Sequence, residues 1–161
     1  RRAHTGTGVA GGARSLAGGA GEEVCWGRAD GQLVWAEYHR AAGDQEKAFA
    51  HAQRALAHAT EPRQPLALLA AHRLLGELDT EAGRFADAAI HLDASLALAD
   101  ACAAPYERAL TLLAMTEMRT ATGETDAART LLDEVRAICE PLGAKPALAR
   151  ASALTTRLTQ G

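Results

Sequence analysis

Glycine returns in this chain at a fixed interval. "AAGDQEKAFA" carries Gly43, "EAGRFADAAI" carries Gly83 and "ATGETDAART" carries Gly123, 40 residues apart both times. Other columns keep the same step. Ala48, Ala88 and Ala128 follow the glycines by five positions, and Ala36, Gly76 and Thr116 precede them by seven. Directly before those small residues stand the large apolar Trp35, Leu75 and Met115. Beyond the alanines come Ala52, Leu92 and Leu132, then Ala55, Ser95 and Val135. A shared step with matching chemistry at several columns marks a repeat array, in which each unit buries its apolar face only against its neighbours.

Within each unit the spacing is helical. Leu74, Leu75 and Leu78 lie one turn apart, and Ala88, Ala89, Leu92, Leu96 and Ala99 share one face of a second helix. Inside a continuous helix a glycine would cost roughly 0.5–1 kcal/mol relative to alanine. At a junction it supplies the left-handed backbone that ends a helix without a Cβ clash. The pattern predicts helices at 30–42, 44–60, 66–82, 85–103, 106–122 and 125–140, with Pro62, Pro65, Pro105 and Pro141 in the connections between pairs. After Gly143, "ALARASALTTRLTQ" reads as one more amphipathic helix. Leu148, Ala151, Leu154 and Leu158 form its stripe, with Ser152, Thr155, Thr156 and Thr159 off it, as a terminal cap requires. Residues 1–28 are rich in Gly and Ala and lack periodicity, so a flexible lead-in is expected before a repeat domain over 29–161. The repeats would run over about 29–65, 66–104 and 105–142, with the cap at 143–161.

Small-at-eight, glycine-at-fifteen, alanine-at-twenty and apolar-at-twenty-four resemble the tetratricopeptide repeat. Gly76, Gly83, Ala88 and Leu92 match it best, and the likeness spans about residues 29–141. The period exceeds the common 34 residues, which implies longer helices. Where that repeat places tyrosine three positions after the small residue, this chain has His39, Asp79 and Arg119, beside Tyr38, Leu78 and Met118. The wording "ALTLLAMTEMRTATGETDAARTLLDEVRAICEPLGAKPALARASALTTRL" is similar to the helical-repeat region of MalT-like, ATP-dependent bacterial regulators of the LuxR type. The resemblance implies an all-α, right-handed α-solenoid of three helix pairs plus a C-terminal capping helix, working in the cytoplasm. In that family a nucleotide-binding ATPase precedes the repeats and a DNA-binding helix-turn-helix follows them. No GxxxxGK[ST] motif occurs here, so the likeness covers the sensor and scaffold portion alone.

Composition agrees with helices packed through small side chains. Of 161 residues, 48% are hydrophobic but only 4% aromatic, which leaves alanine and leucine to build the interior of one domain. The net charge of −3, with Arg84, Arg108, Arg119, Arg129 and Arg136 interleaved among acids, offers no basic field for a nucleic acid. Cys25, Cys102 and Cys139 are odd in number and far apart, neither a disulfide framework nor a metal knuckle. No apolar run approaches the roughly 18 residues that cross a bilayer, so no membrane partner is expected. Arg1-Arg2 is followed by His4, Arg14 and glycines rather than an export signal's apolar run. Because residue 1 is not methionine, a fragment or processed chain is expected.

Catalytic patterns are weak. "GTGVAG" contains G-x-G-x-x-G through Gly6, Gly8 and Gly11, but "RRAHT" before it is no buried strand. His51 and His58 share a helix face, and His72 and His91 sit on the two helices of one pair. Zinc needs three or four convergent ligands, so structural histidines are the better reading. Glu22-Glu23 and Asp133-Glu134 are adjacent and point about 100° apart on a helix. The expectation is a chain without catalytic residues, bound metal or cofactor.

One column carries charge. Glu37, Glu77 and Glu117 follow the small residues at the same 40-residue step, beside Arg40, Arg73, Thr80 and Thr120. In a tetratricopeptide-like stack this column lines the concave side. It would then accept donors from a peptide, protein or small polar effector. The simpler reading is solvated helix glutamates, with Arg73–Glu77 an ordinary i,i+4 pair. The expected function is a non-enzymatic interaction or effector-sensing module, with self-association as a further route. A stand-alone adaptor serving a complex unrelated to transcription is the alternative, and flanking gene sequence would separate the two.

Overall fold

The computed structural model describes residues 20–160, with side chains from Gly27 onward. Seven α-helices fill this span: α1 (Ala20–Ala41), α2 (Gln45–Thr60), α3 (Pro65–Glu81), α4 (Phe85–Ala101), α5 (Pro105–Ala121), α6 (Thr125–Leu142) and α7 (Lys145–Gln160). There is no strand among the described residues. α1 packs on α2, α3 on α4 and α5 on α6 as antiparallel pairs, each pair stacks on the next, and α7 closes the series. The chain is an α-solenoid of helix pairs. The motif at Gly6, Gly8 and Gly11, the paired arginines at the start, and the side chains of Glu22, Glu23 and Cys25 lie outside the described residues.

The glycines are helix ends, as expected. Gly43, Gly83 and Gly123 take φ of 78°, 74° and 80°. Each turn closes with the same two bonds. At Gly83, its own N–H donates to Thr80 O (3.1 Å) and the Arg84 N–H to Asp79 O (2.8 Å), a Schellman turn. The outer bond recurs at 20-residue intervals, from residues 44, 64, 84, 104, 124 and 144 back to 39, 59, 79, 99, 119 and 139. Thus the turns between pairs share the outer bond of those within pairs. Gly143 (φ 61°) serves the turn after α6, and Ala103 (φ 49°) the turn after α4. On the far side of the turns, Pro65 and Pro105 open α3 and α5, where no intrahelical N–H is forfeited.

Three boundaries differ from expectation. α1 begins at Ala20, inside the stretch read as a flexible lead-in. Alanine and glutamate are strong helix formers, and a helix anchored by Ala29 and Ala36 extends at little cost once nucleated. α4 ends at Ala101 rather than residue 103, because Ala103 has turned left-handed. α6 runs through Pro141 to Leu142. Proline forfeits a single bond in that last turn, while buried Val135 and Cys139 hold the helix to the core, and Gly143 ends it.

The core follows the repeat. Ala48, Ala52, Ala36, Leu74, Leu75 and Leu78 form one cluster between the first pair and α3. Ala88, Leu92, Leu112, Met115, Leu132, Val135 and Leu154 belong to a second that reaches α7. The odd-numbered helices α1, α3, α5 and α7 also touch their next-but-one neighbours, whereas α2, α4 and α6 do not touch one another. The odd helices therefore lie on the inner side of the curve, and their shared face is concave.

Candidate functional site

The inner face carries the charged column. Glu37, Glu77 and Glu117 project from α1, α3 and α5 into a cleft of about 530 Å³, lined also by Arg40, Arg73, Glu81, Leu110 and Arg150. Exposure changes along the column: Glu37 is largely exposed, Glu117 half-buried, and Glu77 only 8% exposed. A buried carboxylate must be paired. Glu77 is paired twice, with Arg40 of α1 at 2.5 Å on one oxygen and Arg150 of α7 at 3.3 Å on the other. Arg40 further holds Glu81 (2.6 Å) and approaches Glu37 (3.6 Å), while Arg150 reaches Glu117 (3.1 Å). Arg157 stands 3.8 Å from Glu117.

The electrostatics follow from this alternation. Burial opposes the charge on Arg40, but the Glu77 and Glu81 carboxylates outweigh it and raise its pKa above the usual value. Burial likewise opposes the charge on Arg150, and Glu117 with Glu77 overcomes it, raising that pKa too. Both guanidiniums are fixed cations. The column is thus an alternating ladder of acids and arginines rather than a bare acidic stripe, and its glutamates are not simply solvated.

Arg73 does not pair with Glu77, as the i,i+4 spacing suggested. It crosses to Glu107 of α5 at 2.5 Å. Its lateral neighbour offers a carboxylate free of competition, whereas Glu77 already has two arginines. Thr80 and Thr120 do not line the cleft. Their hydroxyls donate to Gly76 O (2.8 Å) and Thr116 O (2.7 Å) of their own helices. Arg150 was absent from the expected site, since only the packing of α7 along α5 and α6 brings its side chain within reach of Glu117 and Glu77.

A second polar cluster lies between α3 and α4. His72 Nδ1 and His91 Nδ1 are 3.0 Å apart, so one ring donates to the other. Burial and then the neighbouring His91 push the His72 pKa down, which suits a neutral acceptor. His91 Nε2 is 3.9 Å from Oδ2 of Asp79, a residue 1% exposed. Oδ1 of Asp79 accepts a hydrogen bond from Arg84 Nε at 2.7 Å and lies 2.6 Å from its Nη2. Arg119 and Glu124 form the same pair, five residues apart, with the charges exchanged, at 2.8 Å. Asp79–Arg84 is therefore a latch across the Gly83 turn. His51 and His58 do not pair; the His51 Nδ1–H donates to Gln32 Oε1 (2.7 Å). Among the described residues no three His, Cys, Asp or Glu side chains converge as metal ligands would, and no helix is long and apolar enough to cross a membrane.

Comparison of the chain with protein-family models and with curated proteins returned no match. The concave cleft is the place where the fold gathers polar side chains from four helices.

Proposed function

We propose that this chain is a non-enzymatic, tetratricopeptide-like helical-repeat module that recognises a protein segment or small polar effector in its concave cleft. We place it as the MalT-like scaffold and sensor portion of a bacterial, cytoplasmic LuxR-type transcription regulator. The observation that carries the reading is Glu77, buried between Arg40 and Arg150 at the floor of a 530 Å³ cleft. Such a ladder holds a network of ion pairs whose partners a charged ligand can exchange, because each arginine already divides itself between two carboxylates. A ligand that inserts its own cation or anion would re-pair α1, α3, α5 and α7 together. Occupancy would then become a change in how the repeats stack. The family likeness of residues 109–158 and the α-solenoid both support this assignment.

The experiment is a selection of random-sequence displayed peptides against the immobilised chain, followed by calorimetry of the best peptide. Glu77→Lys and Glu117→Lys are each expected to weaken that peptide at least tenfold, about 1.4 kcal/mol. Unchanged affinity in both variants removes the cleft as the recognition site, and no peptide retained removes a protein segment as its ligand. An upstream P-loop and a downstream helix-turn-helix in the same reading frame would support the regulator; a complete frame without them would favour the adaptor.

A further inference from the structure

Asp79 keeps one oxygen without a partner. Its side chain is 1% exposed, and while Oδ1 is held by Arg84, Oδ2 is buried and accepts no hydrogen bond among the described residues. A buried carboxylate oxygen without a donor is costly. The nitrogen beside it is His91 Nε2, 3.9 Å away.

That ring is committed on its other side, where His91 Nδ1 lies 3.0 Å from His72 Nδ1. The first repeat shows which ring donates. Gln32 and His51 occupy the same columns 40 residues earlier, and there the His51 Nδ1–H donates to Gln32 Oε1 (2.7 Å), which can only accept. One repeat on, His91 donates from Nδ1 and His72 takes the acceptor's place. Burial, then His91, lowers the His72 pKa from its usual value, which keeps that ring neutral and its lone pair free. A neutral imidazole has a single N–H. With that hydrogen given to His72, His91 has nothing to offer Asp79; with a second one on Nε2 it serves both.

The charges around the ring favour that proton. From α3, Asp79 and His72 face it. Arg84 at the turn and Asp87 of α4 line the same small pocket of about 120 Å³, to which α2 adds the uncharged Phe49. The charged residues of α5, which also packs on α4, are engaged elsewhere: Glu107 with Arg73, Arg108 with Asp100 and Glu134, Glu117 with Arg150, and Arg119 with Glu124. Two carboxylates against one guanidinium leave the pocket one negative charge in excess, and a cationic His91 cancels it.

We propose that His91 is a proton-binding switch: on mild acidification it takes a proton on Nε2 and moves onto Asp79 Oδ2, while its Nδ1–H stays on His72. A shift of about 1 Å brings the ring to the roughly 2.7–2.9 Å of a charge-assisted hydrogen bond. The pair binds one proton and resists a second, because a charge on His72 would be desolvated and would face a cation 3.0 Å away. The protonated ring ties α4 to the carboxylate that Arg84 already holds, so α3, the Gly83 turn and α4 close into one ion-paired unit. The two histidines act in opposite directions. A proton that the fold holds on His91 adds stability as the pH falls, whereas one forced onto His72, whose pKa is lowered, takes stability away. Acid therefore tightens the α3–α4 pair first and loosens it later. None of these residues lines the cleft, and the switch does not depend on the proposed function.

Nuclear magnetic resonance of the ring nitrogens tests it, on the full 161-residue chain with nitrogen-15 histidine, from about pH 8 to about pH 5. His91→Gln and His72→Gln assign the two rings. As the pH falls, His91 is expected to carry protons on both nitrogens while His72 still has a bare Nδ1. Asp79→Asn should weaken the binding of that proton at least tenfold, moving the His91 midpoint down by about one pH unit. His72→Gln rebuilds the Gln–His contact of the first pair and should leave proton binding within about threefold. Arg84 is 46% exposed, so Arg84→Met keeps the fold even where Asp79→Asn does not. Freed of its guanidinium, the carboxylate should hold the His91 proton at least about threefold more tightly. A proton that goes first to His72, a His91 midpoint that neither Asp79→Asn nor Arg84→Met moves, or one that His72→Gln lowers as far as Asp79→Asn does, overturns the proposal.

Discussion

Ala103 shows how far a single position can depart from its sequence signal and still obey the fold. Five helix ends use a left-handed residue, and four of them have the glycine that conformation favours. Ala103 adopts φ 49° instead, with its N–H donating to Asp100 O (3.1 Å) and that of Ala104 to Ala99 O (3.0 Å). Left-handed backbone costs an L-residue roughly 1–2 kcal/mol because Cβ crowds the following carbonyl. Ala103 is exposed, so replacement removes no packing. Ala103→Gly should therefore stabilise the chain by about 1 kcal/mol, offset in part by the freer unfolded state, and raise Tm by roughly 2–4 °C. Gly83→Ala should move Tm the other way by a similar amount. Differential scanning calorimetry of both variants decides it; a lower Tm for Ala103→Gly would mean the turn is not under strain. The same residue explains why the sequence showed a 40-residue step although the turns recur every 20. Glycine marks the turn inside each pair, while the turns between pairs use Ala103 or, at Glu61–Gln64, no left-handed residue at all.

At the scale of elements, helix pairs were legible because their small and large columns are set by contact across the pair. Gly76 of α3 meets α4 so closely that an added Cβ would lie 2.6 and 2.7 Å from Leu92 carbons and 3.3 Å from Ala88 O. In the first pair the matching positions are Ala36 and Ala52, so a methyl in place of the Gly76 hydrogen on one helix meets a side chain smaller than Leu92 on the other. Gly76→Ala should destabilise by about 1–3 kcal/mol through overpacking. Leu92→Ala, which empties a fully buried site, should cost about 2–5 kcal/mol. Combined, they rebuild the Ala–Ala pairing of the first repeat, and the double variant should lose at least 1 kcal/mol less than the sum. Chemical denaturation of the four proteins tests this, strict additivity being the adverse result. Boundaries were less legible than pairs. The early start of α1 and the passage of α6 through Pro141 depend on anchorage by Ala29, Val135 and Cys139, which local propensity does not register.

Across the whole molecule, a solenoid joins distant residues only through its neighbours, and the charged ladder is an exception worth probing. The glutamate column was readable because it repeats; its partners were not. Arg150 reaches Glu77 across 73 residues of sequence, and no spacing rule connects them. Arg73 chose Glu107 over the glutamate one turn away for the same reason, since neighbouring helices offer partners that i,i+4 counting omits. Arg150 ties α7 to α3 and α5, and Arg40 ties α1 to α3, with Glu77 common to both. Arg150→Met keeps a long apolar stem and removes the charge. Glu77 retains Arg40, so it is not stranded, and the loss should be about 1 kcal/mol rather than the larger cost of an orphaned buried ion. In a nearest-neighbour array that loss belongs to the end of the chain. Amide exchange followed by mass spectrometry should therefore speed up about fivefold in α7 while α1 and α2 hold their protection. Arg40→Met should give the mirror result, loosening α1 and sparing α7. If either variant instead accelerates exchange evenly along the chain, the ladder couples all the repeats as one unit, and a ligand at Glu77 would be felt at both ends.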